Sequence, residues 1–401
     1  MAPRRKTIRR RSKRTLQIAL FTQDLGTYWE QAVQGIARRS RENVSSSIIM
    51  ARFGEVTEAD VSKGLVDGVI IDQWANNQSL LARCRAARVP VVDISGDGDR
   101  VGVGIIAPDD RLVGKTVANY FLGRGFRNFG YYGLPPAIAT VWDESRKIGF
   151  SEAVRTAGFN CAIFEGTAMD WGQMHQPQHL QALEKWIISL SRPTAILASI
   201  DAFAYEILRL ALKAKIRVPD EMAVCGVDNR VWICTLANPT ISSIPLDGQR
   251  AGNEAMDMLL GMIKSGSLES PPCYIEPLPI VHRESTDTYA FPDEAVVGAL
   301  NFIRDNAHRH IGVEDILDHL LVSRRSLEVR FKKLTGVTLQ NHIWFSHVER
   351  AKKLLLESAQ PMYKICENSG FRSAAVFNVV FRRLVGTTPT NFRRRTRHGP
   401  L

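Results

Sequence analysis

Two hydrophobic patterns divide the chain. Up to about Val281, short apolar runs that read as buried strands alternate with amphipathic stretches of helical period. Leu16–Phe21 is the first such run, and Tyr28–Arg41 follows it as a helix. Further strands are predicted over Ser47–Arg52, Val66–Asp72, Val89–Ser95, Asn128–Gly133, Ala195–Ser199 and Ala223–Val227. Apolar strands separated by helices imply parallel sheets covered on both faces. Residues 15–286 suffice for two such α/β lobes, and ligands of such folds lodge at the carboxyl ends of the strands, here between the lobes. A proline-rich stretch with Pro271, Pro272, Pro277 and Pro279 closes this region, and 287–292 reads as a linker. Past Pro292 the strand signals cease, and helical patterns run on through 293–401. The fold class expected is a two-lobed α/β domain followed by an all-α domain.

The all-α part repeats itself. Ser323-Arg-Arg-Ser-Leu-Glu-Val-Arg-Phe331-Lys-Lys-Leu334-Thr-Gly336 is echoed fifty residues on by Ser373-Ala-Ala-Val-Phe-Asn-Val-Val-Phe381-Arg-Arg-Leu384-Val-Gly386. Self-similarity at a constant offset marks a duplicated supersecondary unit. Each copy begins with a short helix, Val313–Leu320 or Met362–Ser369. A turn follows, Leu321-Val322 or Gly370-Phe371-Arg372, and then a second helix that Ser323 or Ser373 is placed to cap. Helix, tight turn and capped helix make a helix-turn-helix, whose second helix enters the major groove of DNA. The two units are expected at about 313–334 and 362–384, joined by one helix over about 338–357 that is long enough to set them on consecutive turns of DNA.

Charge sharpens this reading. The net charge is +11, but it is unevenly placed. Residues 1–14 hold eight Lys/Arg and no acid, residues 15–291 hold 26 against 31, and residues 292–401 hold 18 against 10. Basic ends on an acidic body are the footprint of a phosphate-binding module. The 1–14 tail reads either as a disordered basic segment or as one adding non-specific DNA affinity. The apolar stretch behind it is too short for most secretory signals and is followed by no small-residue cleavage site. The six cysteines are scattered without a C-x-x-C pair, which suits a reducing, cytoplasmic compartment. No apolar run approaches the roughly 20 residues of a membrane span.

On the first recognition helix the candidate DNA contacts are Ser323, Arg324, Arg325 and Glu328. On the second they are Arg372, Ser373, Ala374, Ala375 and Asn378. Arginine pairs with both acceptors of guanine, asparagine reads adenine, and alanine can touch a thymine methyl. Lys332, Lys333, Arg382, Arg383, Arg393 and Arg394 read as phosphate clamps, or else as solvated surface. Phe331, Leu334, Phe381 and Leu384 read as core.

The second unit continues into Thr-Thr388-Pro389-Thr-Asn-Phe392-Arg393, and the whole double unit resembles the AraC/XylS family of regulators. Leu321 departs from that family's pattern, standing where the first turn usually has glycine and suggesting a slightly different turn angle; Cys366 stands where alanine is common. The α/β body resembles the LacI-type periplasmic-binding-protein sensor through Val66-Asp-Gly-Val-Ile-Ile71, Ala223-Val-Cys-Gly-Val-Asp228-Asn229, Pro239-Thr-Ile-Ser-Ser-Ile244 and Val281-His-Arg283-Glu-Ser285. The resemblances together imply a transcription regulator with a small sugar effector, xylose or a related pentose. They also imply double-stranded operator DNA, a second copy of the chain and, as for an activator, RNA polymerase as partners, and no cofactor.

Positions matching the sensor family's ligand sites are Asp109, Trp142, Arg146, Asp201, Asp228 and Asn229, residue types that bind vicinal hydroxyls and stack on a sugar ring. Asp228 and Asn229 can also be read as a turn capping a helix, and Trp142 as core. The first strand–helix loop, with Trp29-Glu30, departs from the pattern. A plain sugar-binding protein or an enzyme using the cleft are the alternatives. The chemistry for the second is lacking: Gly114-Lys115-Thr116 misses the upstream glycine of a P-loop, and no nucleophile stands beside a credible base. His308 and His310 have no partners at metal spacing, so no metal is expected.

Overall fold

The computed structural model describes residues 15–21, 26–43, 46–50, 57–72, 78–96, 102–164, 166 and 170–398, so the basic 1–14 tail lies outside it. The chain divides into two compact units, residues 1–120 with 128–287, and residues 121–127 with 288–401.

The first unit holds two parallel sheets. The strands are β1 (Leu16–Phe21), β2 (Ser46–Met50), β3 (Gly68–Ile71), β4 (Val91–Asp93), β5 (Gly104–Pro108), β6 (Asn128–Tyr132), β7 (Cys161–Phe164), β8 (Thr194–Ala198), β9 (Met222–Val227), β10 (Ser242–Ile244) and β11 (Cys273–Ile275). Among the described residues the first sheet runs β11-β5-β4-β3-β1-β2 and the second β10-β9-β8-β6-β7. β3, β5, β8 and β9 are buried at every position, as strands covered by helices on both faces must be. The covering helices are α1 (Thr27–Asn43), α2 (Glu58–Ser62), α3 (Gln78–Ala87), α4 (Asp110–Leu122), α5 (Val141–Thr156), α6 (Pro177–Ser189), α7 (Asp201–Lys213), α8 (Val231–Leu236) and α9 (Gly248–Ser265).

Four strands escape the sequence pattern: β5, β7, β10 and β11. β10 and β11 span three residues each, too few to show a period. β11 lies inside the proline-rich stretch read as a closing segment. It sits at the edge of the first sheet, where flanking prolines leave no ladder donor missing. α4 and α5 cross at glycines: a Cβ on Gly114 would overlap the carbonyl oxygen of Arg146, and one on Gly149 that of Arg111. This close backbone approach fixes the first turns of α4 against the middle of α5.

The second unit is helical: α10 (Glu294–Asp305), α11 (Val313–Leu320), α12 (Arg324–Thr335), α13 (Leu339–Glu357), α14 (Met362–Asn368), α15 (Ala374–Val385) and α16 (Pro389–His398). Tyr289 and Phe291, in the segment read as a linker, pack against this unit's first core, built on Leu327, Phe331 and Ile343. A second core is built on Val348, Phe377 and Phe381, and α13 contributes to both. α11 ends with Leu321 in the left-handed region at φ 54°, a conformation that usually goes to glycine; Leu321 is 91% exposed, so its side chain meets no obstacle. In the second copy Gly370 (φ 79°) takes that role. Ser373 Oγ accepts from the amide of Val376 at 3.3 Å, whereas Ser323 occupies the N-cap without a side-chain cap bond. The capping expected of both serines is therefore made by one.

Candidate functional site

A cavity of about 410 Å³ opens in the first unit at the carboxyl ends of its strands. α1 supplies Tyr28 and Trp29, α4 supplies Asp110, α5 supplies Trp142 and Arg146, and the β9–α8 connection supplies Asp228 and Arg230. Asp72, following β3, adds another carboxylate. Arg146 Nε donates to Asp110 Oδ1 at 2.7 Å and Nη1 donates to the Ser199 carbonyl at 2.6 Å. Its guanidinium lies 4.7 Å from the centre of the Trp142 ring. Burial pushes the Asp110 carboxyl up to about 6, with Arg146 opposing that rise. Burial, then the neighbouring Asp110, raises the Tyr28 phenol and keeps it protonated as a donor, here to the Ile94 carbonyl at 3.2 Å.

Of the six residues proposed from sequence, Trp142, Arg146 and Asp228 line this cavity. Asp109 does not. It caps α4, its Oδ1 accepting from the Leu112 amide at 2.9 Å, and the next residue, Asp110, faces the cavity instead. Asp201 lies below: its Oδ1 accepts from Ser243 Oγ and its Oδ2 from the Arg230 amide, both at 2.6 Å. It is 1% exposed, and burial, then the charge of Asp228, raises it to about 7. Asn229 Oδ1 accepts from Arg283 at 2.7 Å, and its amide donates to Ser243 Oγ at 2.9 Å. Asp228 and Asn229 both have positive φ, 93° and 50°, so the turn reading holds for both and only Asp228 adds a lining carboxylate. Asp201 and Asn229 thus shape the wall that carries Asp228 and Arg230. Tyr28, Trp29, Asp72 and Arg230 also line the cavity and were not among the sequence candidates; Trp29-Glu30 falls in the first turn of α1, inside the helix expected from Tyr28, with Trp29 buried and Glu30 exposed.

In the second unit α12 and α15 present matching outward faces. Leu327 and Phe331, and Phe377 and Phe381, point into the cores. Arg325, Lys332 and Lys333 are exposed on α12; Ala375, Arg382 and Arg383 are exposed on α15, with Arg372 just ahead of it. Ser323, Ser373 and Ala374 are exposed at the helix starts. Arg324 is engaged within the protein, with Glu314 at 2.6 Å and Glu328 at 3.0 Å, so Arg325 is the arginine of this pair with no ion-pair partner among the described residues. Asn378 Nδ2 donates back to the Ala374 carbonyl at 2.9 Å, and Arg383 lies over Trp344 at 4.8 Å. α13, of 19 residues, is about 28 Å long by its helical rise, close to the roughly 34 Å between successive major-groove faces. Sequence reasoning passed over Val329, Val376 and Val379, which are exposed on these same helices.

A two-lobed cavity domain joined to paired helix-turn-helix units defines a class: the chain is a DNA-binding transcription regulator with a periplasmic-binding-protein-like sensor and an AraC-type DNA-binding domain. Residues 118–286 match the periplasmic binding protein-like domain, and residues 316–395 match a helix-turn-helix domain. Over nearly its full length it is similar to the xylose operon regulatory proteins. The one from Haemophilus influenzae is 27% identical over 385 residues, covering 94% of this chain and 98% of that protein. The one from Escherichia coli K12 is 28% identical over 375 residues, covering 91% and 94%. A solved xylose-binding transcription activator is 25% identical with a TM-score of 0.58, covering 95% of this chain and 98% of that one. A regulator solved with cellobiose shares the fold at 20% identity and a TM-score of 0.54. No helix among the described residues is long and apolar enough to cross a membrane, and these residues contain no cluster of three or more His, Cys, Asp or Glu side chains placed to hold a metal ion.

Proposed function

We propose that this chain is a cytoplasmic, sugar-responsive activator, with a pentose such as xylose as effector, acting as a homodimer on operator DNA and through RNA polymerase. The observation that carries the effector reading is the cavity itself. Asp72, Asp110 and Asp228 can accept hydroxyl protons, Arg146 and Arg230 can donate to hydroxyl oxygens, and Tyr28, Trp29 and Trp142 offer apolar faces to ring C–H groups. A charged, phosphorylated effector suits this lining less, because the carboxylates outnumber the arginines. The names of the similar regulators support a pentose. Thermal shift of the full chain across pentoses and hexoses tests the reading: a saturable rise in melting temperature with a pentose is expected. No shift with any sugar would contradict it.

A further inference from the structure

The outward faces of α12 and α15 share an apolar residue at their centres. Val329 and Val379 occupy equivalent places fifty residues apart and are 63% and 69% exposed. Val329 falls four residues after Arg325 and three before Lys332; Val379 falls four after Ala375 and three before Arg382. Residues at these spacings lie along one helix face, so each valine stands mid-face, opposite the buried phenylalanines. An exposed valine inside a helix is a poorer helix former than alanine, because its branched side chain loses χ1 freedom, and in the free protein it recovers nothing through burial. The two faces otherwise differ. α12 carries Arg325 and Ser326 where α15 carries Ala375 and Val376, the last 47% exposed.

The surroundings point to the occupant of this face. Basic pairs, Lys332-Lys333 and Arg382-Arg383, follow one turn later on each helix, and residues 292–401 hold 18 Lys/Arg against 10 acids. Within a major groove the apolar group on offer is the 5-methyl of thymine. We propose that Val329 and Val379 each read a thymine 5-methyl, at the same register in two boxes one helical turn apart. The proposal rests on the DNA-binding reading of this unit and adds to it the base group being read.

Uracil in place of thymine removes the methyl and leaves every hydrogen-bonding group in place. Each thymine of the footprinted operator is replaced in turn, and the affinity of the full chain is measured. One sensitive position per box, about 10 base pairs apart, is expected, each weakening binding about fourfold, the loss that corresponds to one methyl-sized group left unburied. In Val379→Ala the uracil effect vanishes in the α15 box and persists in the other; Val329→Ala does the reverse. Both variants keep or raise the melting temperature, since alanine is the better helix former. Unchanged affinity at every uracil, or valine variants that keep the parent's uracil sensitivity, overturns the proposal. If the full chain binds no duplex even at low salt, the DNA-binding reading itself fails and takes the proposal with it.

Discussion

Arg146 and Asp110 form an ion pair of 2.7 Å with only 4% and 6% of their side chains exposed, one on α5 and the other at the start of α4. Breaking a pair this deeply buried leaves a charge without its partner. Asp110→Ala should destabilise the sensor by about 3–5 kcal/mol, read as a lower urea midpoint. A loss below about 1 kcal/mol would mean that the pair behaves as an exposed one.

Asp201 gives the sensor an unusual pH dependence. Its carboxyl is raised from 3.8 to about 7 in the folded protein, so the folded state holds a proton that the unfolded chain has released. Its contribution to stability is full below 3.8, declines as pH rises and is lost above about 7. Between about pH 4 and about pH 7 the parent should therefore lose stability relative to Asp201→Asn, whose amide does not titrate. Parallel urea midpoints for the two proteins across that range would refute the assignment.

Asp228 lines the cavity, whereas Asn229 beside it holds the turn. Asp228→Ala should weaken effector binding by about 1.5–3 kcal/mol, the worth of a hydrogen bond to a charged acceptor, while operator binding without sugar persists. Calorimetry with the effector decides: an unchanged dissociation constant removes Asp228 from the site.

These residues also show what the sequence could and could not reveal. The helix-turn-helix pair was legible because a duplicated unit can be compared with itself, residue by residue, with no knowledge of distant contacts. The α/β layering was legible where strands were long and apolar, as in β1, β6 and β9. The cavity was legible only in part, since it assembles from connections far apart in the chain. Asp109 and Asp110 are adjacent and chemically identical; which one caps α4 and which one meets Arg146 depends on the Gly114 and Gly149 crossing of α4 with α5. Tyr28 and Trp29 were hidden for a similar reason: the helix was expected from Tyr28, but which first-turn side chains face the cavity depends on how α1 packs against α9, where a Cβ on Gly248 would overlap the Tyr28 carbonyl oxygen.

The two arginines at the start of α12 should behave differently. Arg325→Ala should cost about 1–3 kcal/mol at a single base position, because Arg325 is exposed and has no ion-pair partner among the described residues. Arg324→Ala should cost less, its guanidinium being held by Glu314 and Glu328. Lys332→Ala should weaken binding evenly across sequences and reduce the salt slope by about 1. Competition binding over operator variants at several salt concentrations separates the three.

Coupling between effector and operator is the centre of the account. Asp110 stands at the cavity at the beginning of α4, and the end of that helix falls within residues 121–127, which group with the second unit. An effector can change operator affinity only by binding two conformations unequally, and the change must be reciprocal. The direct measurement is operator affinity of the full chain with and without saturating sugar, paired with sugar affinity with and without operator. The account predicts the same factor in both experiments, about 5- to 150-fold. Equal operator affinity with and without every pentose tried would contradict it.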